Sequence, residues 1–429
     1  MSSMRSLVAV VFGSVLIAAS ITAIAHPPGF DPLGDLPGNR FLSEAFGISK
    51  DADSVVGTSI AANGYLRAFR WQEGAGMSGL GVPIPGNYRE SIAYATNADG
   101  SVAVGYAFNS TGGLPFEAPF RWTPGGGMQL LSGIPANTIY GVAYDTSFSG
   151  NVVAGSLTGY LIPGNTTPVT RGFRWLTTTG FTLIPPLGNC YSDSEARGVS
   201  SNGSVVVGGT YNANCDYEAF RWTPAGGTVG LGDLPGNFFS SKALGTNSNG
   251  SVVVGRGTGV NGFEAFRWTS SGGMSGLGRL PGNQYSYANA TSDAGNVVVG
   301  YCTPPNQSGL STAFIWYEGR GMFTVHDLLH RRGIHDADGW LLLEATDVDA
   351  DGALIVGYGI NPSGAWEGWR ASIPVCFADF NADHSVDDFD YFDFLNAFNL
   401  NAPEADYNQD GNVDDFDYFD FLNDFFAGC

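Results

Sequence analysis

Two acidic dodecamers near the end of the chain have the residue types and spacing of calcium-binding loops. They read DFNADHSVDDFD at 379–390 and DYNQDGNVDDFD at 406–417. Calcium takes about six to eight oxygen ligands, and a twelve-residue loop supplies them from positions 1, 3, 5, 7 and 12. These positions are Asp379, Asn381, Asp383, the carbonyl of Ser385 and Asp390 in the first copy, and Asp406, Asn408, Asp410, the carbonyl of Asn412 and Asp417 in the second. The spacing therefore predicts two calcium ions.

The two calcium sites are predicted to differ in affinity. The sixth position, where such a loop bends sharply, is Gly411 in the second copy and His384 in the first. Glycine adopts the required backbone conformation freely, and histidine does not. We therefore expect the first site to be the weaker one.

Each loop leads into an amphipathic run, DDFDYFDFLNAF in the first copy and DDFDYFDFLNDF in the second. Apolar residues recur there at helical spacing, namely Phe389, Phe392, Leu395 and Phe398, matched by Phe416, Phe419, Leu422 and Phe425. Residues 374–429 are therefore predicted to form a small module in which a loop and a helix occur twice. Because the module is short, bound calcium should contribute much of its folding free energy.

This duplicated arrangement resembles a type I dockerin, and the Gly-Cys end of the chain is similar to the anchoring modules of bacterial secreted proteins. The resemblance implies a cohesin-like or other cell-surface protein as partner, bound in either of two orientations and read by loop positions 10 and 11. Those positions hold Asp388 and Phe389 in the first copy, and Asp415 and Phe416 in the second. Dockerins have small hydroxylic or aliphatic residues there, so this departure argues against a cellulosome-type cohesin.

Negative charge is concentrated in the same module. The net charge is −21, from 40 acidic and 19 basic side chains, and residues 376–429 carry 14 acids with no Lys or Arg. An acidic block is usually a solvated tail, but the many Phe, Tyr and Leu residues of this one are atypical of disorder. Without a basic patch to follow a phosphate backbone, the chain is not predicted to bind nucleic acid.

The first 25 residues have the features of a secretory signal peptide. An early arginine precedes the apolar run LVAVVFGSVLIAAS, and the small residues AIA end at Ala25. An N-terminal membrane anchor is the alternative, and no later stretch is apolar enough to span a bilayer. We therefore expect a secreted chain, extracellular or at the cell surface, in a compartment where cysteines pair.

Residues 26–373 are built from a repeat of about 50 residues. Its signature is AFRW or a variant of it, and the successive tryptophans lie 51, 53, 47, 46 and 48 residues apart, at Trp71, Trp122, Trp175, Trp222, Trp268 and Trp316. Short β-branched and aromatic segments between Gly, Asn and Pro favour four strands per repeat. This period and strand number are typical of a kelch-like β-propeller blade.

The predicted fold class is all-β, a seven-bladed β-propeller followed by the small helical calcium module. The seventh repeat stops at WRASIPV without a fourth strand, whereas the chain after the signal peptide begins with FDPLGDLPGN, the tail of a repeat that has no beginning. An N-terminal strand that completes the last blade would close the ring and leave no long open edge. An open solenoid is the alternative.

These repeats resemble the extracellular repeats of the HAF family, named for a His-Ala-Phe motif whose histidine is here Glu, Arg or Thr. The resemblance covers residues 30–372, including the end block GWLLLEATDVDADGALIVGYGINPSG at 339–364. It implies a secreted β-propeller, and because the family has no agreed activity it implies no reaction.

Catalytic residues are not predicted. The repeated arginine could bind an anion, but a residue present in nearly every repeat is typical of a structural role, here hydrogen bonding to carbonyls; its copies are Arg70, Arg121, Arg174, Arg221 and Arg267. Catalysis needs a nucleophile with its base, or two carboxylates beside one bond, and no such set is evident. A unique acidic pair at the mouth of the propeller would argue for an enzyme.

One segment carries residue types that ligate transition metals. HDLLHRRGIH at 326–335 places His326 and His330 on one face of a helix, with His335 and Asp336 nearby, which could bind zinc. Because the segment occupies the fourth-strand position of a blade, it is interpreted as a surface insertion instead.

A second segment, DVDADG at 347–352, starts like a calcium loop. Its twelfth position is Tyr358 and not a carboxylate, and it aligns with the first hairpin turn of the other repeats. A hairpin turn is therefore predicted.

The five cysteines are predicted to form two disulfides. Two lie symmetrically about the turn SSNGS and two bracket the duplicated module, which gives the pairs Cys190 with Cys215 and Cys376 with Cys429. Cys302 is left over, with Tyr287 predicted opposite it in a hairpin. A free Cys429, used for attachment, is the alternative for the second pair.

Together these features predict a secreted binding or display protein. Its propeller would bind a glycan or a protein, and its C-terminal module would dock it through calcium. A polysaccharide-acting enzyme, of the glycoside hydrolase or lyase class, delivered by a dockerin is the first alternative. A structural component of the cell surface is the second.

Overall fold

The computed structural model describes residues 28–38, 40–51, 53–83, 87–109, 113–164, 166–236, 238–305, 310–373, 376–381, 386–407 and 412–427. After a short first strand, β1 (Gly29–Pro32), the strands follow one another in groups of four. Unit 1 is β2 (Ser43–Ile48), β3 (Ser54–Ile60), β4 (Leu66–Gln72) and β5 (Gly76–Gly81). Unit 2 is β6 (Tyr88–Thr96), β7 (Ala103–Asn109), β8 (Glu117–Thr123) and β9 (Gly127–Leu130). Unit 3 is β10 (Thr138–Thr146), β11 (Val152–Gly159), β12 (Val169–Leu176) and β13 (Gly180–Leu183).

The later units have the same form. Unit 4 is β14 (Ser194–Val199), β15 (Val206–Tyr211), β16 (Tyr217–Thr223) and β17 (Gly227–Gly230). Unit 5 is β18 (Lys242–Thr246), β19 (Val252–Gly259), β20 (Gly262–Thr269) and β21 (Gly273–Gly276). Unit 6 is β22 (Tyr285–Thr291), β23 (Val297–Thr303), β24 (Thr312–Tyr317) and β25 (Gly321–Thr324). Unit 7 contributes β26 (Leu341–Val348), β27 (Leu354–Ile360) and β28 (Trp366–Ser372).

Helices lie between units 6 and 7 and after the last strand. They are α1 (Val325–Arg331), α2 (Asp388–Asn399) and α3 (Asp415–Ala427), with one 3₁₀ turn at Pro403–Ala405. None of the helices in the described residues is long and apolar enough to cross a membrane.

The N-terminal strand completes the last unit, as predicted. β1 pairs antiparallel with β28, with Phe30 opposite Ala371, so the sheet order is β1-β28-β27-β26. The other units pair antiparallel in chain order, and one parallel bridge from Tyr140 to Glu117 joins units 2 and 3 into a larger sheet. The two ends of the repeat region therefore meet in one sheet.

The units form a closed ring. The first strand of each unit contacts the first strand of the next, through β2, β6, β10, β14, β18, β22 and β26, and β26 in turn contacts β2. Each pair of neighbouring units also encloses its own cluster of buried apolar side chains, including the pair formed by units 7 and 1. This arrangement of four-stranded antiparallel sheets is a β-propeller.

The valine run of each second strand is explained by this packing. Successive side chains of a strand point to opposite faces of its sheet. In β19, Val252 and Val254 pack in the cluster shared with unit 6, whereas Val253 packs in the cluster shared with unit 4. Because both faces of each sheet are covered, the sequence reads as a continuous apolar run.

The repeated arginine has the structural role that was predicted. Arg121 of unit 2 donates from Nε to the carbonyl of Gly150 in the hairpin turn of unit 3, at 2.9 Å. The same bond recurs between later neighbours, from Arg174 to Gly203, Arg221 to Gly250 and Arg267 to Gly295. Each of these four arginines therefore connects its unit to the next one, whereas Arg70 donates to the side chains of Gln72 and Ser54 in its own unit.

The segment DVDADG is a hairpin turn, as predicted, in which Asp349 Oδ1 accepts the backbone N–H of Gly352 at 2.8 Å. The predicted register of the sixth hairpin was wrong by one residue, because Cys302 lies opposite Ser286 and not Tyr287. A β-bulge between Ala288 and Ala290 inserts an extra residue and shifts the pairing.

We expect the closing strand to be essential for stability. Deleting residues 26–40 removes Phe30, Leu33 and Leu36, which are buried against units 6, 7 and 1, and should lower the melting temperature. A matched pair of point substitutions tests the same contact. Phe30→Ala should lower the free energy of unfolding by about 3 kcal/mol, whereas Phe41→Ala, at a side chain that is 42% exposed, should have little effect. Equal melting temperatures for the two variants would show that the ring is not closed in this way.

Candidate functional site

The C-terminal residues form a pair of helices related by the sequence repeat. Phe394 of α2 stacks on Phe421 of α3, with ring centroids 4.1 Å apart and planes 5° apart. The hydroxyls of Tyr391 and Tyr418 lie 3.1 Å apart. Each of these residues contacts the residue that occupies its own position in the other copy. The two copies are therefore packed about a pseudo-twofold axis.

Carboxylates at the first and twelfth loop positions are buried. Asp379 and Asp390 are 2% and 0% exposed, and Asp406 and Asp417 are 9% and 0% exposed. Ionised carboxylates are rarely buried so fully unless they are paired or ligate a metal. This burial suits the ends of a cation-binding loop.

Each loop is also folded back on its last residue. Asp390 accepts backbone N–H bonds from Asn381, at loop position 3, and from Asp387, both at 3.0 Å. Asp417 accepts the N–H of Asp414 at 2.9 Å, and the exposed Asn412 lies at position 7. The remaining predicted ligands, Asp383, Ser385, Asn408 and Asp410, lie outside the described residues, as do His384 and Gly411. The predicted difference between the two sites stays a prediction.

The residues predicted to bind a partner are exposed. Phe389 and Phe416 are 69% and 70% exposed, and Asp388 and Asp415 beside them are exposed as well. The three-residue spacing had suggested one apolar face per helix, but Phe392 and Phe419 are also exposed and Phe394 and Phe421 form the core instead. With Phe426, which is 79% exposed, the described part of the helix pair presents five aromatic rings to solvent.

Three arginines attach the helix pair to the ring. Arg331 donates to the carbonyl of Asp406 at 2.8 Å. Arg332 donates to the carbonyls of Asp379 and Cys376. Arg320 pairs with Asp424 and lies over the ring of Phe377, 4.4 Å from its centroid. The first residue of both acidic loops is therefore held by a cationic side chain that lies in or next to α1.

The cysteines agree with the predicted pairing as far as they are described. Cys190 and Cys215 form a disulfide with a Cα separation of 5.4 Å, although both lie in loops beyond the ends of β14 and β15. Cys302 is free and buried. Cys376 is disulfide-bonded, and its predicted partner Cys429 lies outside the described residues.

A central cavity of about 400 Å³ is lined by the first strand of each of the seven units, which we call the inner strand. The residue that follows the repeated alanine of each inner strand lines it, and this residue differs from unit to unit: Phe46, Tyr94, Tyr144, Arg197, Leu244, Asn289 and Thr346. The repeats are similar in sequence, but the cavity is chemically asymmetric. An asymmetric cavity can hold a ligand in one orientation.

Two aspartates in this cavity join neighbouring units. Asp145 and Asp347 occupy the inner-strand bulge, where the other units have Gly or Ala. Asp145 Oδ2 accepts the N–H of Val199 in the next unit at 2.7 Å, and Asp347 Oδ2 accepts that of Ile48 at 3.0 Å. Burial raises the pKa of Asp145 to about 7 and also raises the pKa of Asp347. These carboxylates stabilise the junctions of the ring.

A charged pair crosses the cavity near the hairpin turns. Lys50 of unit 1 extends to Asp293 of unit 6, with Nζ 3.4 Å from Oδ1. Units 1 and 6 are separated by unit 7, so this pair connects two units that are not neighbours. We call the opposite end of the cavity, where the inner strands begin, the mouth.

Glu344 lines the cavity, and Glu44 lies on the neighbouring inner strand within electrostatic range of it. Glu344 of β26 accepts hydrogen bonds from Tyr358 at 2.6 Å and from Asn289 at 3.0 Å. Burial raises the pKa of Glu344, and the negative charge of Glu44 on β2 adds to the increase. Burial also raises the pKa of Glu44. Sequence reasoning missed these two glutamates because they are 300 residues apart and their strands are neighbours only where the ring closes.

Aromatic and basic side chains complete the mouth. Tyr94 lies 5.3 Å from Phe46 and 5.6 Å from Tyr144 between ring centroids. The guanidinium of Arg197 lies 4.0 Å above the ring of Tyr144 and pairs with Glu195. Rings with a polar edge beside charged pairs can bind sugars or peptide segments by stacking and hydrogen bonding.

No protein-family model and no curated protein matches this chain. Among solved structures it is similar to TolB from Acinetobacter baumannii, at 10% identity over 81% of this chain and 80% of that one, with a TM-score of 0.42. It is similar to the β-propeller domain of the Trilobed protease from Pyrococcus furiosus, at 10% identity over 79% and 95%, with a TM-score of 0.46. It is also similar to puromycin hydrolase, at 14% identity and a TM-score of 0.46, covering 81% of this chain but only 52% of that one. At these low scores the propeller description rests on the strand pairing itself.

Proposed function

We propose that this protein is a secreted binding or display protein with a seven-bladed, HAF-type propeller (residues 26–373) and a dockerin-like, calcium-dependent docking module (residues 374–429). The observation that carries the proposal is the burial of Asp379, Asp390, Asp406 and Asp417 at the ends of two repeated loops. Each copy contains two buried loop carboxylates. A divalent cation that neutralises their charge would stabilise them.

Secretion is supported by the disulfide between Cys190 and Cys215. Disulfides persist in oxidising compartments and are rare in the cytosol. The predicted signal peptide, residues 1–25, lies outside the described residues, so its cleavage remains part of the proposal.

The docking surface would be the exposed aromatic rings of the helix pair. Phe389 and Phe416 are related by the pseudo-twofold axis, and each follows an exposed aspartate. A partner that recognises one copy can recognise the other after a half-turn. Cohesin-like and other cell-surface proteins fit this surface, since interfaces are centred on buried aromatic anchors.

Calcium binding should be measurable on the full chain. We expect about two ions per chain by titration calorimetry. Replacing a buried loop carboxylate, Asp417→Asn or Asp390→Asn, should remove one ion because the twelfth ligand is lost. The matched control is the exposed neighbour, Asp415→Asn or Asp388→Asn, which should retain both. If the buried and exposed variants bind equally, the loops are not calcium sites.

Docking should depend on calcium and on both phenylalanines. In a capture experiment from the surface fraction of the source cells, the wild-type protein should retain a partner with calcium and release it with chelator. Phe389→Ser or Phe416→Ser alone should leave capture intact, because either orientation suffices, whereas the double variant should abolish it. Capture that survives chelator and the double variant would contradict the proposed docking.

A polysaccharide-acting enzyme is the second candidate, favoured by the acidic pair Glu44 and Glu344 at the mouth. Binding and catalysis are separated by a glycan panel assayed both for affinity and for products. We expect binding without cleavage, weakened about tenfold or more by Tyr94→Ala at the mouth and unchanged by Tyr160→Ala, at a 46% exposed side chain. Product formation that Glu344→Gln abolishes would establish the enzyme instead.

A further inference from the structure

The segment between units 6 and 7 brings three metal-ligating side chains together. They are His330, His335 and Asp338, whose ligand atoms all lie within 4.8 Å of one another. The rings of His330 and His335 are 4.7 Å apart between centroids and nearly perpendicular, at 85°. Nδ1 of His335 lies 3.5 Å from Oδ2 of Asp338. Two imidazoles and one carboxylate are a common zinc ligand set.

A defined turn at the end of α1 produces this arrangement. Gly333 has a φ of +68°, the left-handed conformation that ends many helices. Its N–H donates to the carbonyl of His330 at 3.0 Å, and the N–H of Ile334 donates to the carbonyl of Leu329 at 3.0 Å. These two bonds make a Schellman motif, which reverses the chain and returns His335 to His330.

Buried anchors fix the backbone under each side chain. His330 follows Leu329, His335 follows Ile334 and Asp338 follows Ala337, and these three apolar residues are 0%, 8% and 2% exposed in the core between units 6 and 7. The three ligand side chains are themselves exposed. Because the backbone is already ordered, a metal would need to order only the exposed ends of three side chains.

We propose that His330, His335 and Asp338 bind one zinc ion at the protein surface. Bonds to zinc of about 2.0–2.2 Å place tetrahedral ligand atoms roughly 3.3–3.6 Å apart, a separation that His335 and Asp338 already have. The ligand nitrogen of His330 lies within 4.8 Å of the other two ligand atoms, so zinc binding would draw this exposed side chain closer to them. The fourth position faces solvent and can hold water or a side chain of another protein.

This site differs from the zinc set considered from the sequence. His326 lies one helical turn back, with its ring centroid 6.5 Å from that of His330, and Asp336 is not in the group. It also differs in chemistry from the calcium loops, which offer only oxygen ligands. The site lies on the segment whose Arg331 and Arg332 hold those loops, so zinc would brace the junction between ring and helix pair.

The test is a titration of the full chain, saturated with calcium, with zinc chloride alone. We expect one zinc ion per chain, with affinity reduced about tenfold to a hundredfold or more by His335→Ala and by His330→Ala. His326→Ala and Asp336→Asn are the matched controls and should bind as the wild type does. Cobalt chloride provides a second readout, because nitrogen ligation in a tetrahedral site gives intense visible absorption that His335→Ala should remove.

Three outcomes would overturn the inference. The first is that the wild type binds no zinc. The second is that the His330→Ala, His335→Ala double variant binds zinc as the wild type does. The third is that His326→Ala loses zinc binding whereas His330→Ala and His335→Ala retain it. Uptake that disappears in Asp390→Asn and Asp417→Asn but persists in the double histidine variant would place zinc in the calcium loops. The side chains of His326, His330, His335 and Asp336 are at least partly exposed, so these variants should fold. Asp390 and Asp417 are buried, and melting temperatures verify the fold of every variant.

Discussion

The closed ring of units depends on one close contact in each unit. A glycine of the second strand lies between a buried aromatic side chain of the third strand and the backbone of the bulged first strand. In every unit a glycine of the second strand lies opposite a fully buried aromatic residue of the third: Gly57, Gly105, Gly155, Gly208, Gly255, Gly300 and Gly357. A Cβ on Gly155 would lie 2.1 Å from the carbonyl oxygen of Val142 and 2.5 Å from the ring of Phe173. Three strands can approach so closely only where one of them has no side chain.

The bulge admitted by that glycine determines where the chemistry lies. The extra, unpaired residue of each inner strand is the one whose side chain lines the cavity, and this residue differs between units. The repeated residues build the blades, and the varied residues line the cavity. The C-terminal helix pair has the opposite organisation, because its ligand and contact residues are the ones that repeat.

The two parts of the protein are joined by charge as well as by packing. Residues 376–429 contain 14 acids and no Lys or Arg, so permanent positive charge reaches them only from outside the segment. Arg320, Arg331 and Arg332 of the ring supply positive charge to that segment, and at the first residue of each loop they do so by hydrogen bonds to backbone carbonyls. These two bonds involve the loop backbone and not the loop carboxylates.

The sequence by itself determined the features that depend on local pattern and repetition. The period of the repeats predicted four strands per unit, the incomplete ends predicted a closing N-terminal strand, and the spacing of Cys190 and Cys215 predicted their disulfide. The duplicated dodecamers predicted the order of loops and helices, and the repetition of the arginine predicted its structural role. Each of these signals is carried by residues close in sequence or by copies of one motif.

Only the tertiary structure decided which distant or non-periodic side chains meet. The bulge displaced Cys302 by one residue from its predicted partner, and ring closure placed the strand of Glu44 beside the strand of Glu344. The turn at Gly333 selected Asp338 over Asp336 as the neighbour of His335. Spacing along the chain does not reveal such contacts, because one inserted residue reverses the face of a strand and a closed ring joins residues from opposite ends of the chain.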